Sequence, residues 1–284
     1  MKLHEIAVHS MKQLAEMLET NREKIDRLVQ RMRNDNSDVC LALVESGLLK
    51  PEQMCHAALR YELGKSREGK TIFWMIDERH RVRDGMVGDT WASLLLKERG
   101  LIDQHWCPQH CLFGLHLLSN TDLTFYEHGF HGSYGFLSEH ESHKSHEYKN
   151  DSCNSSISCS KNRIRAINSC HSSNSCSKID PVICVVESVR SCVVLSERFP
   201  QYLWMATGYL ANLHERLFLP LKGHHVICFP STDPTGDTYL LWLSVATEAR
   251  KYGLNITVSR FLEDHATPSQ KSRNIDLLDF IYEK

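Results

Sequence analysis

No stretch of about 18 consecutive apolar residues occurs in the 284-residue chain, so no transmembrane helix is expected. The opening MKLHEIAVHSMKQLAEM is too interrupted by His, Glu and Lys to form a signal-peptide core, and we expect a cytoplasmic protein with no membrane partner. A dominant charge is missing too. Lys and Arg number 33 against 35 Asp and Glu, a formal charge of -2, so contact with a polyanion would need a local basic patch. Neither a P-loop nor a G-x-G-x-x-G turn is present, which removes two common signatures of nucleotide-binding enzymes.

What is present is apolar content, 42% of residues, enough for the core of one large domain or two small ones. The eleven cysteines are an odd number, and Cys184, Cys192 and Cys228 sit inside apolar runs where a thiol behaves as a small hydrophobe. A disulfide framework is not expected in a reducing compartment.

Apolar residues from Leu3 to Val29 recur at helical spacing, predicting amphipathic helix over 2–32. Such helices offer a docking face to a protein partner. NSDVCLALVESGLL predicts a short helix ending at Gly47, and KPEQMCHAALRYELG another, with Pro51 in its first turn and Gly64 as its stop. GKTIFWMIDERHRVRDG predicts a hairpin whose first strand is Thr71 to Ile76, and TWASLLLKERGL a helix. CLFGLHLL fits neither period. From about Leu137 the composition turns to Ser, His, Asn, Cys and Lys, and SCNSSISCSK recurs as SCHSSNSCSK, too polar a repeat to bury a core. The chain therefore divides into a helical region over 1–64, a small α+β segment over 65–136, a Ser/Cys/His-rich linker or insert over 137–180, and an α/β domain over 181–284.

That last segment alternates strand and helix: PVICVVES, VRSCVVLSERF, YLWMATG, NLHERL, HHVICFP, TYLLWLSVATEARKYG, NITVSRF and IDLLDFIYEK. The alternation predicts a parallel sheet with helices on both faces, with ligands at the carboxyl ends of its strands. Glu187 closes VICVVE, and Asp233 and Asp237 follow HVICF, so neighbouring strands would place Glu187 and Asp233 on one crevice. Carboxylates gathered there suit magnesium, a hard ion that takes oxygen ligands.

VVES followed by FPSTDPTG, in this strand-helix setting, resembles the Toprim domain of bacterial primases, topoisomerases and related nucleases. LRYELG, GKTIFWMID and CLFGLHLL resemble the segments before Toprim in primase-like proteins of bacterial mobile elements, including an uncharacterised Toprim-related family. The likeness runs from about Leu59 to the C-terminus without the insert. It implies a Toprim-like fold and magnesium-dependent phosphoryl transfer, by a nucleotidyl transferase or nuclease. Glu187 would be a metal ligand or general acid/base, Asp233 a metal ligand, and Asp276 a further acid. Gly236 falls on the family's Gly. Ser231 stands where the first acid of a D-x-D motif belongs, and Ser191 where many Toprim proteins carry an acid after the Glu. A serine can ligate magnesium but adds no negative charge. No zinc module of the kind that opens many primases is evident.

Two readings stay open. Either the metal site persists in weakened form, or Glu187 is a helix N-terminal acid with Asp233 and Asp237 as turn and cap residues, in a catalytically inactive interaction or nucleic-acid-binding module. For nucleic acid, Lys65, Arg67, Lys70, Arg79, Arg81 and Arg83 surround Phe73 and Trp74, a mixture that can hold single-stranded DNA through phosphate contact and base stacking, or form an ordinary solvated face. Zinc is not expected. Cys153, Cys159, Cys170, Cys176 and His171 belong to a duplicated polar segment with five-residue gaps, and His105, Cys107, His110 and Cys111 lack a second regularly spaced pair.

Overall fold

A computed structural model of the protein describes residues 34–88, 90–105, 110–119 and 181–283. The helix expected over 2–32, the repeat with its cysteines, and Cys107 lie outside these residues. The described residues all belong to one compact unit, Met1–Phe125 with Asp180–Lys284.

Helix α1 (Asp38–Glu45) gives way at Ser46 to Gly47, whose φ of 73° turns the chain, as its sequence predicts. Helix α2 (Pro51–Arg60) carries its proline in the first turn. It stops earlier than expected. Glu62 takes the left-handed turn at φ 53°, and Gly64 opens strand β1 (Gly64–Lys65) instead of closing the helix.

Strands β2 (Thr71–Ile76), β3 (Val82–Val87) and β4 (Thr90–Trp91) complete an antiparallel sheet in the order β1-β2-β3-β4, with the expected hairpin at β2 and β3. Helix α3 (Ala92–Glu98) follows. Strand β2 is buried on both faces. Phe73 and Met75 enter the main core, while Ile72, Trp74 and Ile76 meet Val82, Ala92, Leu96 and Ile102 in a second one. Trp74 fits there because both flanking strands put glycine beside its indole. A Cβ on Gly64 would lie 2.6 Å from Trp74 Nε1, and one on Gly85 2.7 Å from Cε3.

CLFGLHLL has no period because it is two short pieces. Phe113 bridges antiparallel to Ala206, and Leu115–Leu118 form a 3-10 turn.

The C-terminal part runs β5 (Ile183–Val186), α4 (Val189–Arg198), β6 (Leu203–Ala206), 3-10 turns Leu210–Asn212 and Glu215–Leu221, β7 (His225–Cys228), α5 (Asp237–Lys251), β8 (Asn255–Val258), then α6 (Phe261–His265), α7 (Pro268–Ser272) and α8 (Leu277–Tyr282). NLHERL is 3-10 rather than α-helical, and Pro220, which lacks an N–H, sits inside the second turn. All four strands are parallel in the order β6-β5-β7-β8. Helix α4 packs on β5 and β6, and α5 on β8 and the second 3-10 turn. Right-handed crossovers in this order put α4 and α5 on opposite faces. The mixed α/β architecture thus has a helix-flanked parallel sheet at the C-terminus and a separate antiparallel sheet.

Burial of β5 is complete, which is why ICVV shows no alternation. Cys184, Cys192 and Cys228 are free, buried thiols in this core. One apolar cluster joins Leu43, Met54, Tyr61, Phe73 and Phe113 to the parallel sheet. Among the described residues, no helix is long and apolar enough to cross a membrane.

Candidate functional site

Strand β5 sends its connection to β6 on one side and β7 sends its own to β8 on the other, so the carboxyl ends of β5 and β7 flank a crevice. Glu187 leaves β5 at this point. Opposite it the loop after β7 brings Ser231, whose Oγ donates to Glu187 Oε2 at 3.3 Å. The Glu187 carbonyl accepts from the Gly208 N–H at 3.0 Å.

A second carboxylate closes the crevice from the C-terminal segment. The Thr232 N–H and hydroxyl both donate to the Ile275 carbonyl, at 2.9 and 3.1 Å, which sets Asp276 in place. Buried Asp276 accepts the Ser191 hydroxyl on Oδ2 and the Asp279 N–H on Oδ1 at 3.0 Å, so it also caps α8.

Burial pushes the Glu187 carboxyl up from its ordinary value, and the charge of Asp276 adds to this against the Ser231 bond. Burial likewise raises Asp276 against the bonds from Ser191 and Asp279. A folded protein that holds these protons more tightly than the unfolded chain is favoured below the unfolded carboxyl pKa of about 4 and loses that advantage as pH rises through the folded values. Glu187→Gln keeps an acceptor for Ser231 and removes the buried charge. Thermal melts should show the variant more stable than the parent at pH 7.5, with the gap closing by pH 4. A variant less stable at both values would mean that the charge is held favourably.

Asp233 does not join this pair. Oδ1 accepts from the N–H groups of Thr235, Gly236 and Asp237 at 2.8, 2.7 and 3.2 Å and from the Thr235 hydroxyl at 2.7 Å, while Oδ2 accepts from the Thr238 N–H at 2.7 Å. These donors outweigh desolvation and hold its carboxyl far below the usual range. Gly236, at φ 79°, supplies no side chain at the N-cap of α5, and Asp233 caps that helix from three residues earlier. Asp237 accepts the Thr235 hydroxyl at 2.7 Å in the same turn. The turn-and-cap alternative is the one realised at Asp233.

This donor set fits magnesium poorly. The ion takes near-octahedral geometry and favours charged carboxylates. Here Asp233 and Asp276 have both oxygens engaged, burial raises the Glu187 and Asp276 carboxyls from their ordinary values, and Ser231 and Ser191 donate to them. No group of three or more His, Cys, Asp or Glu among the described residues is arranged to hold a metal.

The basic segment is arranged differently from expectation. Trp74, 1% exposed, cannot offer its ring to a base, because β2 is covered on both faces; Phe73, at 6%, is closed off in the same way. Arg81 and Arg83 both pair with Asp77, at 2.8 and 2.7 Å, and close the hairpin turn. Lys70 pairs with Asp38 at 3.2 Å, Lys65 donates to the Asn36 carbonyl at 3.1 Å and its side-chain oxygen at 2.6 Å, and Arg67 is exposed.

Sequence reading passed over another constellation. Buried Asp84 accepts from the Gly85 and Ser93 N–H groups at 2.7 and 2.9 Å, from the Ser93 hydroxyl at 2.8 Å, and pairs with His110 Nε2 at 3.1 Å. His110 stacks on Trp91 at 3.9 Å between ring centroids, and Tyr209 meets Trp91 edge-on at 5.5 Å. The residues come from separate segments, and only His110 stood out, as one of a Cys/His cluster. His105 instead pairs with Asp103 at 3.1 Å, and burial pushes the Cys111 thiol up.

A family model described as a domain of unknown function (DUF6371) matches residues 140–232, about a third of the chain, including β5, α4, β6 and β7. Neither the curated proteins nor the solved structures give a match.

Proposed function

We propose that this is a cytoplasmic, primase-related, Toprim-like protein in the nucleic-acid metabolism of a bacterial mobile element, acting by binding rather than by catalysis. The observation that carries the reading is the pairing of serines with acids. Ser231 and Ser191 stand where the Toprim resemblance expects carboxylates, and each donates to one of the acids that remain, Glu187 and Asp276. A site that would gather charge around magnesium has become internally satisfied. Its carboxylates have less reason to recruit a cation that must shed water.

The parallel order of β5 beside β7 supports the Toprim-like part, since it places the two motif-bearing strands side by side with Glu187 at the end of one. The alternative, a weakened magnesium-dependent nucleotidyl transferase or nuclease, requires Glu187 and Asp233 to converge on one ion, and Asp233 is committed to the α5 cap. Partner binding through the residues before 34 is compatible with either reading.

The two are separated by calorimetry with magnesium and manganese on the parent and on Ser231→Asp. A third carboxylate against Glu187 should lower stability by about 1–3 kcal/mol without divalent ion, through like-charge repulsion and burial, and millimolar manganese should restore it. The parent should show no comparable heat. Divalent-dependent nicking or nucleotidyl transfer by the parent, abolished in Glu187→Ala, would overturn the non-catalytic reading. Failure to retain single-stranded or double-stranded nucleic acid at low salt would overturn the binding half.

A further inference from the structure

We infer that Trp91, His110 and Tyr209 form a stacking platform for the bases of single-stranded nucleic acid, an inference that rests on the nucleic-acid reading above. Trp74, Trp204 and Trp242 are each 1% exposed, so among the described tryptophans Trp91 alone is not fully buried. Tyr209 is partly buried as well, and the His110 side chain is 26% exposed. Trp91 and Tyr209 pack against the main core and keep part of their surface open, and flat rings of this kind suit bases, whose π-faces stack irrespective of sequence.

The geometry is held by a buried carboxyl group. Asp84, its side chain 1% exposed, accepts from the Gly85 N–H within β3 and from the Ser93 N–H and hydroxyl in the first turn of α3. A fourth contact goes to His110. Asp84 Oδ2 lies 3.1 Å from His110 Nε2 and so holds a ring whose face lies against Trp91. Desolvating a carboxylate is costly. Here it also holds the partly buried His110 ring against Trp91.

Position agrees with this assignment. Tyr209 directly follows Gly208, whose N–H bonds the Glu187 carbonyl, so the platform adjoins the crevice at the strand ends. Its hydroxyl also reaches the Gly88 carbonyl at 3.3 Å, tying this loop to the antiparallel sheet.

The test is photocrosslinking of the full chain to a single-stranded oligonucleotide carrying 5-iodouracil, which couples to aromatic side chains in contact with the base. Peptide mapping should place the crosslink on Trp91, His110 or Tyr209. In parallel, Trp91→Leu and Tyr209→Leu, each checked for a native circular dichroism spectrum, should weaken oligonucleotide affinity about tenfold or more, the loss of one stacked base. Crosslinks confined to other peptides, with affinity unchanged in both variants, would overturn the platform while leaving nucleic-acid binding intact. Absence of any retention by the parent would overturn both. Mapping uses the parent protein, so a variant that fails to fold does not remove the answer.

Discussion

Trp74→Ala should destabilise the protein by about 3–5 kcal/mol, the range for emptying a large aromatic site in a packed core. Denaturant titration would measure this. Trp74 is 1% exposed and is matched across the sheet to Gly85, with Gly64 on its other flank. Two glycines have already given up their side chains to admit the indole, so nothing nearby can move into the vacated volume. Trp74→Phe should cost far less, because it keeps a ring and removes an indole N–H that has no hydrogen-bond partner. Were Trp74 a surface ring for stacking, the alanine variant would instead keep its stability within about 0.5 kcal/mol and lose affinity for single strands. The two outcomes point in different directions on different instruments.

Asp233→Ala should cost about 2 kcal/mol, at the upper end for a helix cap, since it removes an acceptor shared by four backbone N–H groups at the start of α5. The loss should depend on pH. A carboxyl held below its unfolded value contributes stability above the unfolded pKa of about 4 and gives it up as pH falls toward the folded value. Thermal melts of parent and variant should therefore differ most at neutral pH and converge in strong acid. Asp233→Asn, which keeps one acceptor oxygen, should fall between them. A metal ligand would behave otherwise: its removal would abolish heat on adding magnesium and leave the metal-free melting temperature nearly unchanged.

Much of the architecture was legible because its determinants are local. Pro51 fixes the first turn of α2, and the uninterrupted ICVV marks a strand covered on both faces. Where the reading missed, distant groups decide. Gly64 looked like a helix stop because glycine commonly serves there, yet what requires glycine is Trp74, ten residues on and across a strand. Both aromatics of FW were buried because a second small core forms against α3, which alternation within β2 does not reveal. Glu187 and its neighbour strand were readable from strand order; that Asp233 would turn to its own helix was open until the Thr235 to Thr238 amides were placed. Asp84, Trp91, His110 and Tyr209 left no common signal, since no spacing connects residues from separate segments.

The cap of α8 and the wall of the crevice are one carboxylate. Asp276 holds the Asp279 amide with one oxygen and the Ser191 hydroxyl with the other. Fraying of the terminal helix and loosening of the strand-end crevice are therefore the same event seen from two sides. Amide exchange at Asp279, far along the chain from Glu187, becomes a clock for how often that crevice opens.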